Sequence, residues 1–107
     1  MEDQRVFERI TARFPMRFLD PSNGQEGEAE TIDVSANGLG FITQERLPVA
    51  TPLEMWLDIP DQREPLYVRG KVAWSAADSS TRQHIGVSLE NARLMSLARV
   101  LWLKRGS

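Results

Sequence analysis

Four arginines recur at a four-residue spacing near the start of the chain, and the first two form an R-x-x-x-R pattern. They are Arg5, Arg9, Arg13 and Arg17. The planar guanidinium of arginine binds phosphate or carboxylate oxygens in pairs, so a cluster of arginines suits an anionic ligand. The chain holds 11 arginines and 2 lysines, a bias that genome composition also produces. The spacing alone therefore leaves open an anion site and a solvated basic face.

A second pattern, D-x-S-x-x-G, runs from Asp33 through Ser35 to Gly38. An ionised aspartate only accepts hydrogen bonds, so Asp33 suits a ligand edge that carries N–H donors. Asp33 can also form an Asx turn, in which it binds its own downstream N–H, and the two roles are not exclusive. Ser35 either binds a ligand or braces the turn. Gly38 permits a positive φ or the close approach of a ligand.

The rest of the composition excludes several classes of function. No cysteine is present, which excludes disulfides and thiolate metal sites. His84 is the only histidine, and its strand-like neighbours predict a satisfied structural role rather than a catalytic base. The sequence lacks a Ser-His-Asp set, a metal-ligand spacing and a glycine-rich phosphate loop, so we predict no enzyme, no cofactor and no metal. A net charge of −2 argues against binding of nucleic-acid polymers.

Alternating apolar residues predict short strands, separated by turn signals such as the Asp20–Gly24 segment. The predicted strands are six, over 14–18, 28–34, 39–43, 53–59, 66–74 and 85–89. Arg13 and Arg17 lie on the face opposite the apolar residues of the first strand, which predicts a solvated outer face or, alternatively, the border of the anion site. In the fifth, Val72 and Trp74 alternate onto one face, which places Trp74 in the core. Gly70 in the same strand indicates a bulge or a tight bend.

The hydrophobic period changes after the last strand. Leu94, Leu97, Ala98 and Leu101 lie at helical spacing, with Asn91 as the N-cap. The fold class is therefore mainly β, a six-stranded antiparallel barrel with a C-terminal α-helix and a mobile N-terminal arm. We assign residues 1–12 to the arm, 13–103 to the barrel and helix, and 104–107 to a tail. The helix packs on its own barrel or, alternatively, binds a partner.

Two features suggest where the protein resides. No apolar run is long enough to span a membrane, and the segment Met1–Arg5 is too polar for a signal peptide. We therefore expect a cytoplasmic protein, either a monomer or a homodimer.

The two patterns, in this order, resemble the ligand-binding signature of the PilZ domain, a bacterial receptor module for the second messenger cyclic di-GMP (c-di-GMP). The similarity extends to the predicted strands, over 10–18, 38–41, 72–74 and 84–89. The resemblance implies a PilZ-like barrel with c-di-GMP as its ligand. Gln4 stands where many members have an additional basic residue, which leaves open whether one or two ligand molecules bind.

The resemblance also implies roles for individual residues. Arg5 and Arg9 would clamp the ligand by pairing with guanine O6 and N7 or with phosphate oxygens. Asp33 would take the N1 and N2 hydrogens of a guanine, with Ser35 and Gly38 beside it. Trp74 either lies in the core, as its alternation predicts, or packs against a guanine.

These roles predict a receptor that closes its arm over c-di-GMP and so changes the surface offered to a protein effector in motility, exopolysaccharide production or a related output. One alternative is a PilZ-like domain that binds no nucleotide and acts through protein contacts alone. Another is a barrel for single-stranded nucleic acid, which the acidic net charge opposes.

Overall fold

The structure is a computed structural model that describes residues 9–35, 37–90 and 99. Within these residues it contains seven strands: β1 (Ile10–Thr11), β2 (Pro15–Asp20), β3 (Gln25–Ser35), β4 (Gly38–Thr43), β5 (Pro52–Leu57), β6 (Leu66–Ala77) and β7 (Gln83–Leu89). No helix in this part of the chain is long and apolar enough to cross a membrane.

Six of the strands form a closed antiparallel barrel in the order β3-β2-β5-β6-β7-β4, because β4 pairs back onto β3. The seventh strand, β1, pairs with the end of β3, beyond the part of β3 that pairs with β2. Thr11 pairs with Asp33, whereas β2 pairs with the first half of β3. The predicted mainly β, six-stranded antiparallel barrel is confirmed, and β1 is an addition to it. The last residues of the predicted arm therefore belong to the sheet.

The barrel interior is filled by the apolar residues that alternate along the strands. In β2 and the residue before it, Phe14, Met16 and Phe18 are buried, whereas Arg13 and Arg17 are exposed on the outer face, as their alternation predicts. The rings of Phe18 and Phe41 stack with centroids 5.9 Å apart. This continuous core fixes the strand positions on which the outer face depends.

Two β-bulges interrupt the alternation, each by one extra residue. In β3 the register with β4 shifts between Thr31 and Asp33, and in β6 the register with β7 shifts between Val72 and Trp74. A bulge reverses the face on which the following residues lie. The prediction that Trp74 lies in the core is therefore wrong: Val72 is 2% exposed, whereas Trp74 is 41% exposed. Of the two alternatives predicted at Gly70, the bulge is wrong, since Gly70 pairs in regular register with Leu53 and Leu89 and the bulge lies between Val72 and Trp74.

The predicted C-terminal helix lies outside the described residues, with the exception of Arg99. That arginine donates from Nε and Nη2 to the carboxylate of Asp61, at 2.8 and 2.7 Å, and from Nη2 to the carbonyl of Glu64 at 3.1 Å. Both side chains of the ion pair are largely buried, with 15% and 12% exposure. Arg99 thus contacts the connection between β5 and β6 of its own barrel.

Candidate functional site

A single row of paired residues crosses the outer face of four strands. Asp33 of β3 pairs with Gly40 of β4, Gly40 with Gly86 of β7, and Gly86 with Trp74 of β6. Directly paired residues in an antiparallel sheet point to the same side. Both ends of this row follow a bulge, so the two bulges together turn Asp33 and Trp74 toward solvent. We call these four residues the glycine row.

The two glycines form a floor on which their neighbours lie. A Cβ atom at Gly86 would overlap the indole ring of Trp74. A Cβ atom at Gly40 would lie 2.8 Å from Oδ1 of Asp33 and 3.3 Å from Nε2 of His84. Any larger residue would therefore displace these side chains. Glycine at both positions allows a planar group to approach the sheet backbone.

Arg9 contributes the positive charge of the site. Its Nη1 donates to Oδ1 of Asp33 at 2.6 Å, with 45% and 25% of the two side chains exposed. Its Nη2 lies 3.8 Å from where a Cβ of Gly38 would be. The pairing of Thr11 with Asp33 positions Arg9, which is two residues upstream of Thr11. Because both partners are partly exposed, this ion pair is open to competition by a ligand.

The turn between β3 and β4 is braced from within. The Ser35 hydroxyl lies 3.1 Å from Oδ1 of Asn37 and 3.3 Å from the carbonyl of Gly38. The Asn37 carbonyl accepts a hydrogen bond from the Leu89 N–H at 2.9 Å. Ser35 is 3% exposed. Of its two predicted roles, the described structure contains the bracing one, and its contact with a ligand stays a prediction.

Two of the structural roles predicted for Gly38 and Asp33 are absent from the described residues, and ligand contact by either residue stays a prediction. Gly38 does not have a positive φ, but a Cβ there would lie 2.9 Å from the carbonyl of Val87. Close backbone approach is therefore what requires glycine. Among the described residues, the Asp33 carboxylate bonds to Arg9 and to no backbone N–H, so the Asx-turn role is absent.

Trp74 and His84 form the other end of the site. Their rings meet edge to face, with centroids 4.9 Å apart and planes at 72°. Nε2 of His84 is buried and has no hydrogen-bond partner among the described residues. The predicted satisfied structural role of His84 is thus wrong for this atom. The exposed part of Trp74 offers an aromatic face next to the glycine floor.

Five of the six predicted site residues lie on this outer face, namely Arg9, Asp33, Ser35, Gly38 and Trp74. Arg5 lies outside the described residues. Sequence reasoning missed Gly40, Gly86 and His84. The signal was present in the strings G-L-G at 38–40 and H-I-G at 84–86, but only the strand register shows that their last glycines face each other.

The functional groups of the site are suited to binding a ligand. It combines a carboxylate acceptor, a guanidinium donor, a buried imidazole nitrogen and an indole face around a flat floor. Within the described residues, no group of three or more His, Cys, Asp or Glu side chains could hold a metal. Such a set suits a planar ligand that carries N–H donors and negative charge.

The fold resembles solved structures of low sequence identity. The inhibitor of motility MotI/DgrA from Bacillus subtilis has a TM-score of 0.71 at 13% identity, over 97% of this chain and 51% of that chain. YcgR from Escherichia coli, in complex with c-di-GMP, has a TM-score of 0.70 at 15% identity, over 96% and 47%. The PilZ domain of YcgR with c-di-GMP has a TM-score of 0.68 at 13% identity, over 97% and 94%.

This chain therefore spans about half the length of the first two proteins. No curated protein sequence is significantly similar to it. The family model described as the PilZ domain, however, matches residues 3–103. The match covers both signature patterns and all seven strands, and on this evidence the chain belongs to the PilZ domain family.

Proposed function

We propose that this protein is a c-di-GMP receptor domain of the bacterial cytoplasm and not an enzyme. The observation that carries the proposal is the glycine row, in which Asp33, paired to Arg9, and Trp74 flank two glycines on one outer face. Membership of the PilZ family supports it. Two similar structures hold c-di-GMP, which supports the same ligand here.

Each group has a counterpart on the ligand. Asp33 accepts the N1 and N2 hydrogens of one guanine, and Trp74 packs against a guanine face. Arg9 then exchanges its bond with Asp33 for a phosphate oxygen or for guanine O6 and N7. Arg5 is the second clamp of the R-x-x-x-R pattern, while Ser35 and Gly38 shape the turn beside the ligand.

The proposed output is a change in the N-terminal arm. Arg9 lies at the start of the described residues, directly before β1. A ligand that binds both Arg5 and Arg9 draws the preceding residues over the outer face. The surface offered to a protein effector then differs between the free and bound states, and differential affinity for the ligand shifts the population between them. The effector itself belongs to a motility, exopolysaccharide or related pathway.

The test is isothermal titration calorimetry with c-di-GMP, with GTP as the control nucleotide. We expect wild type to bind c-di-GMP and not GTP, and Arg9→Ala to lose about 10- to 100-fold in affinity, the effect of one charge-assisted hydrogen-bonding group. Arg13→Ala is the matched control. Arg13 is 59% exposed and lies 3.7 Å from Glu30, so its loss should change affinity by less than about twofold.

The outcomes separate the alternatives. A folded wild type that gives no heat with c-di-GMP would refute the proposal and favour a PilZ-like domain that acts only through protein contacts. Equal losses in Arg9→Ala and Arg13→Ala would indicate general charge attraction instead of a defined clamp.

A further inference from the structure

Nε2 of His84 is the one buried side-chain nitrogen or oxygen that lacks a hydrogen-bond partner among the described residues. His84 lies in β7, paired with Ile42 on one side and Ala76 on the other, and its ring edge meets Trp74. A phenyl ring would make the same packing contact without a buried nitrogen. A buried donor or acceptor without a partner lowers the stability of the fold. A ligand group that forms a hydrogen bond with Nε2 would remove this free-energy cost.

The position of Nε2 relative to Asp33 is informative. Nε2 of His84 and Oδ1 of Asp33 both lie close to the point where a Cβ atom of Gly40 would be, at 3.3 and 2.8 Å respectively. They do not bond to each other. A planar group that binds the carboxylate above Gly40 therefore lies next to the imidazole edge. Because Nε2 is buried, a bond to it forms only as the partly exposed side chains around it shift on binding.

The edge of guanine has a fixed order of groups. Its N2 and N1 hydrogens are adjacent donors, and the next group along the edge is the acceptor O6. A carboxylate that binds both donors leaves O6 beside it, where a hydrogen-bond donor is required. Adenine places an amino donor where guanine has O6, so a donor at this position discriminates against it.

We infer that His84 is a specificity-determining residue, which donates Nε2–H to O6 of the guanine held by Asp33 and so selects c-di-GMP over cyclic di-AMP. This inference rests on the proposed function. The hydrogen bond requires the imidazole to carry its proton on Nε2, either as the neutral tautomer or as the imidazolium. The R-x-x-x-R and D-x-S-x-x-G patterns do not include His84.

Because His84 is the only histidine of the chain, NMR can observe it without ambiguity. We would titrate the untagged, 15N-histidine-labelled protein with c-di-GMP and record long-range proton–nitrogen correlations of the ring. On binding, Nε2 should be protonated, with its Nε2–H slowed in exchange with water and observable directly. Saturation with c-di-GMP without any change at Nε2 would overturn the inference while leaving the proposed function intact.

Variants provide the second test. His84→Phe keeps the ring packing and should lower c-di-GMP affinity about tenfold or more, the effect of one lost hydrogen bond to a buried acceptor. The preference for c-di-GMP over cyclic di-AMP should fall by a similar factor. His84→Gln, which retains a donor, should recover part of both. Gln83→Ala, at the adjacent residue on the other face of β7, is the matched control and should bind as wild type does.

Cyclic di-IMP separates the roles of His84 and Asp33. Its base retains O6 and N1–H but lacks the 2-amino group, so it loses one bond to Asp33 and none to His84. His84→Phe should therefore weaken cyclic di-IMP and c-di-GMP by the same factor. Unchanged affinities in His84→Phe would refute the inference alone, whereas a wild type that binds none of these nucleotides would refute the proposed function as well.

Discussion

Two rows of paired residues cross the outer face of this barrel, and they differ in how much their side chains contact one another. In the first, which we call the aromatic row, Arg17 of β2 pairs with Trp56 of β5, and Trp56 with Tyr67 of β6. The Arg17 guanidinium lies 5.4 Å from the Trp56 ring centroid, the two aromatic rings are 5.4 Å apart, and the Tyr67 hydroxyl bonds to Glu54 at 2.9 Å. The second is the glycine row.

Exposure alone does not distinguish the two rows, since Tyr67 is 45% and Trp74 is 41% exposed. Partners do distinguish them. The aromatic row consists of large side chains that cover each other, whereas the glycine row has two positions without side chains and a buried nitrogen beside them. A row whose groups are already paired stabilises the sheet. In the glycine row, by contrast, the Arg9–Asp33 ion pair and the Trp74 indole are partly exposed, so a ligand can compete for them.

The largest loss of c-di-GMP affinity is expected when a side chain is added to the glycine row. Gly86→Ala places a Cβ where the Trp74 indole lies, so the indole must leave the floor or the residue must push it into the ligand space. We expect c-di-GMP affinity to fall about 100-fold in calorimetry, equivalent to about 2.7 kcal/mol. The circular dichroism spectrum should remain that of a folded barrel, because Trp74 is exposed and free to move outward. Wild-type affinity in this variant would show that the glycine floor is not the binding surface.

A second comparison concerns the two arginine–aspartate pairs. Arg9 and Asp33 are 45% and 25% exposed, whereas Arg99 and Asp61 are 15% and 12% exposed. The hydrogen bonds from Arg99 lower the pKa of Asp61 from 3.8 to about 2. A carboxyl with a lowered pKa in the folded state stabilises the fold above its unfolded pKa, and that stability is lost as the pH falls.

We therefore expect the stability advantage of wild type over Asp61→Asn to be complete above about pH 4 and to shrink as the pH falls toward about 2. Urea denaturation of both proteins at several pH values measures it. Arg99→Gln should reduce the same pH dependence, since it removes the partner of the carboxylate. A difference between wild type and Asp61→Asn that does not change over this range would contradict the assignment.

The smallest effect is expected in the aromatic row. Trp56→Ala removes one aromatic contact and one cation–π contact, which together contribute about 1 to 2 kcal/mol to the free energy of unfolding. Affinity for c-di-GMP should stay within about twofold of wild type, because Trp56 does not touch the glycine row. A larger loss of affinity would mean that the ligand extends onto the aromatic row.

Alternation and turn signals predicted the six barrel strands and the outward direction of Arg13 and Arg17, because a period of two is a local property of the sequence. The prediction that Trp74 lies in the core failed for the same reason. The extra residue after Val72 changes nothing in composition, and it shows only as a shift in pairing with β7. The floor formed by Gly40 and Gly86 was also out of reach, since it depends on which residues of β4 and β7 pair.

The signature patterns, by contrast, brought Arg9, Asp33, Ser35 and Gly38 to one turn and the strand beside it, because they lie close to each other along β1, β3 and β4. His84 remained unassigned. The role of a lone histidine in a strand depends on its neighbours across the sheet. Here Ile42 and Gly40 of β4 and Asp33 of β3 lie 42, 44 and 51 residues earlier in the chain.

The two bulges determine which face of the sheet carries the two ends of the glycine row. Asp33 and Trp74 face outward because each follows one supernumerary residue, Ile32 in β3 and Ala73 in β6. Deleting either residue would keep every signature residue in the sequence and yet turn one end of the row toward the interior. The outer face therefore depends on the number of residues in each strand as well as on their identity. A chain that matches the family signature can lose the proposed binding face through a single deletion outside that signature.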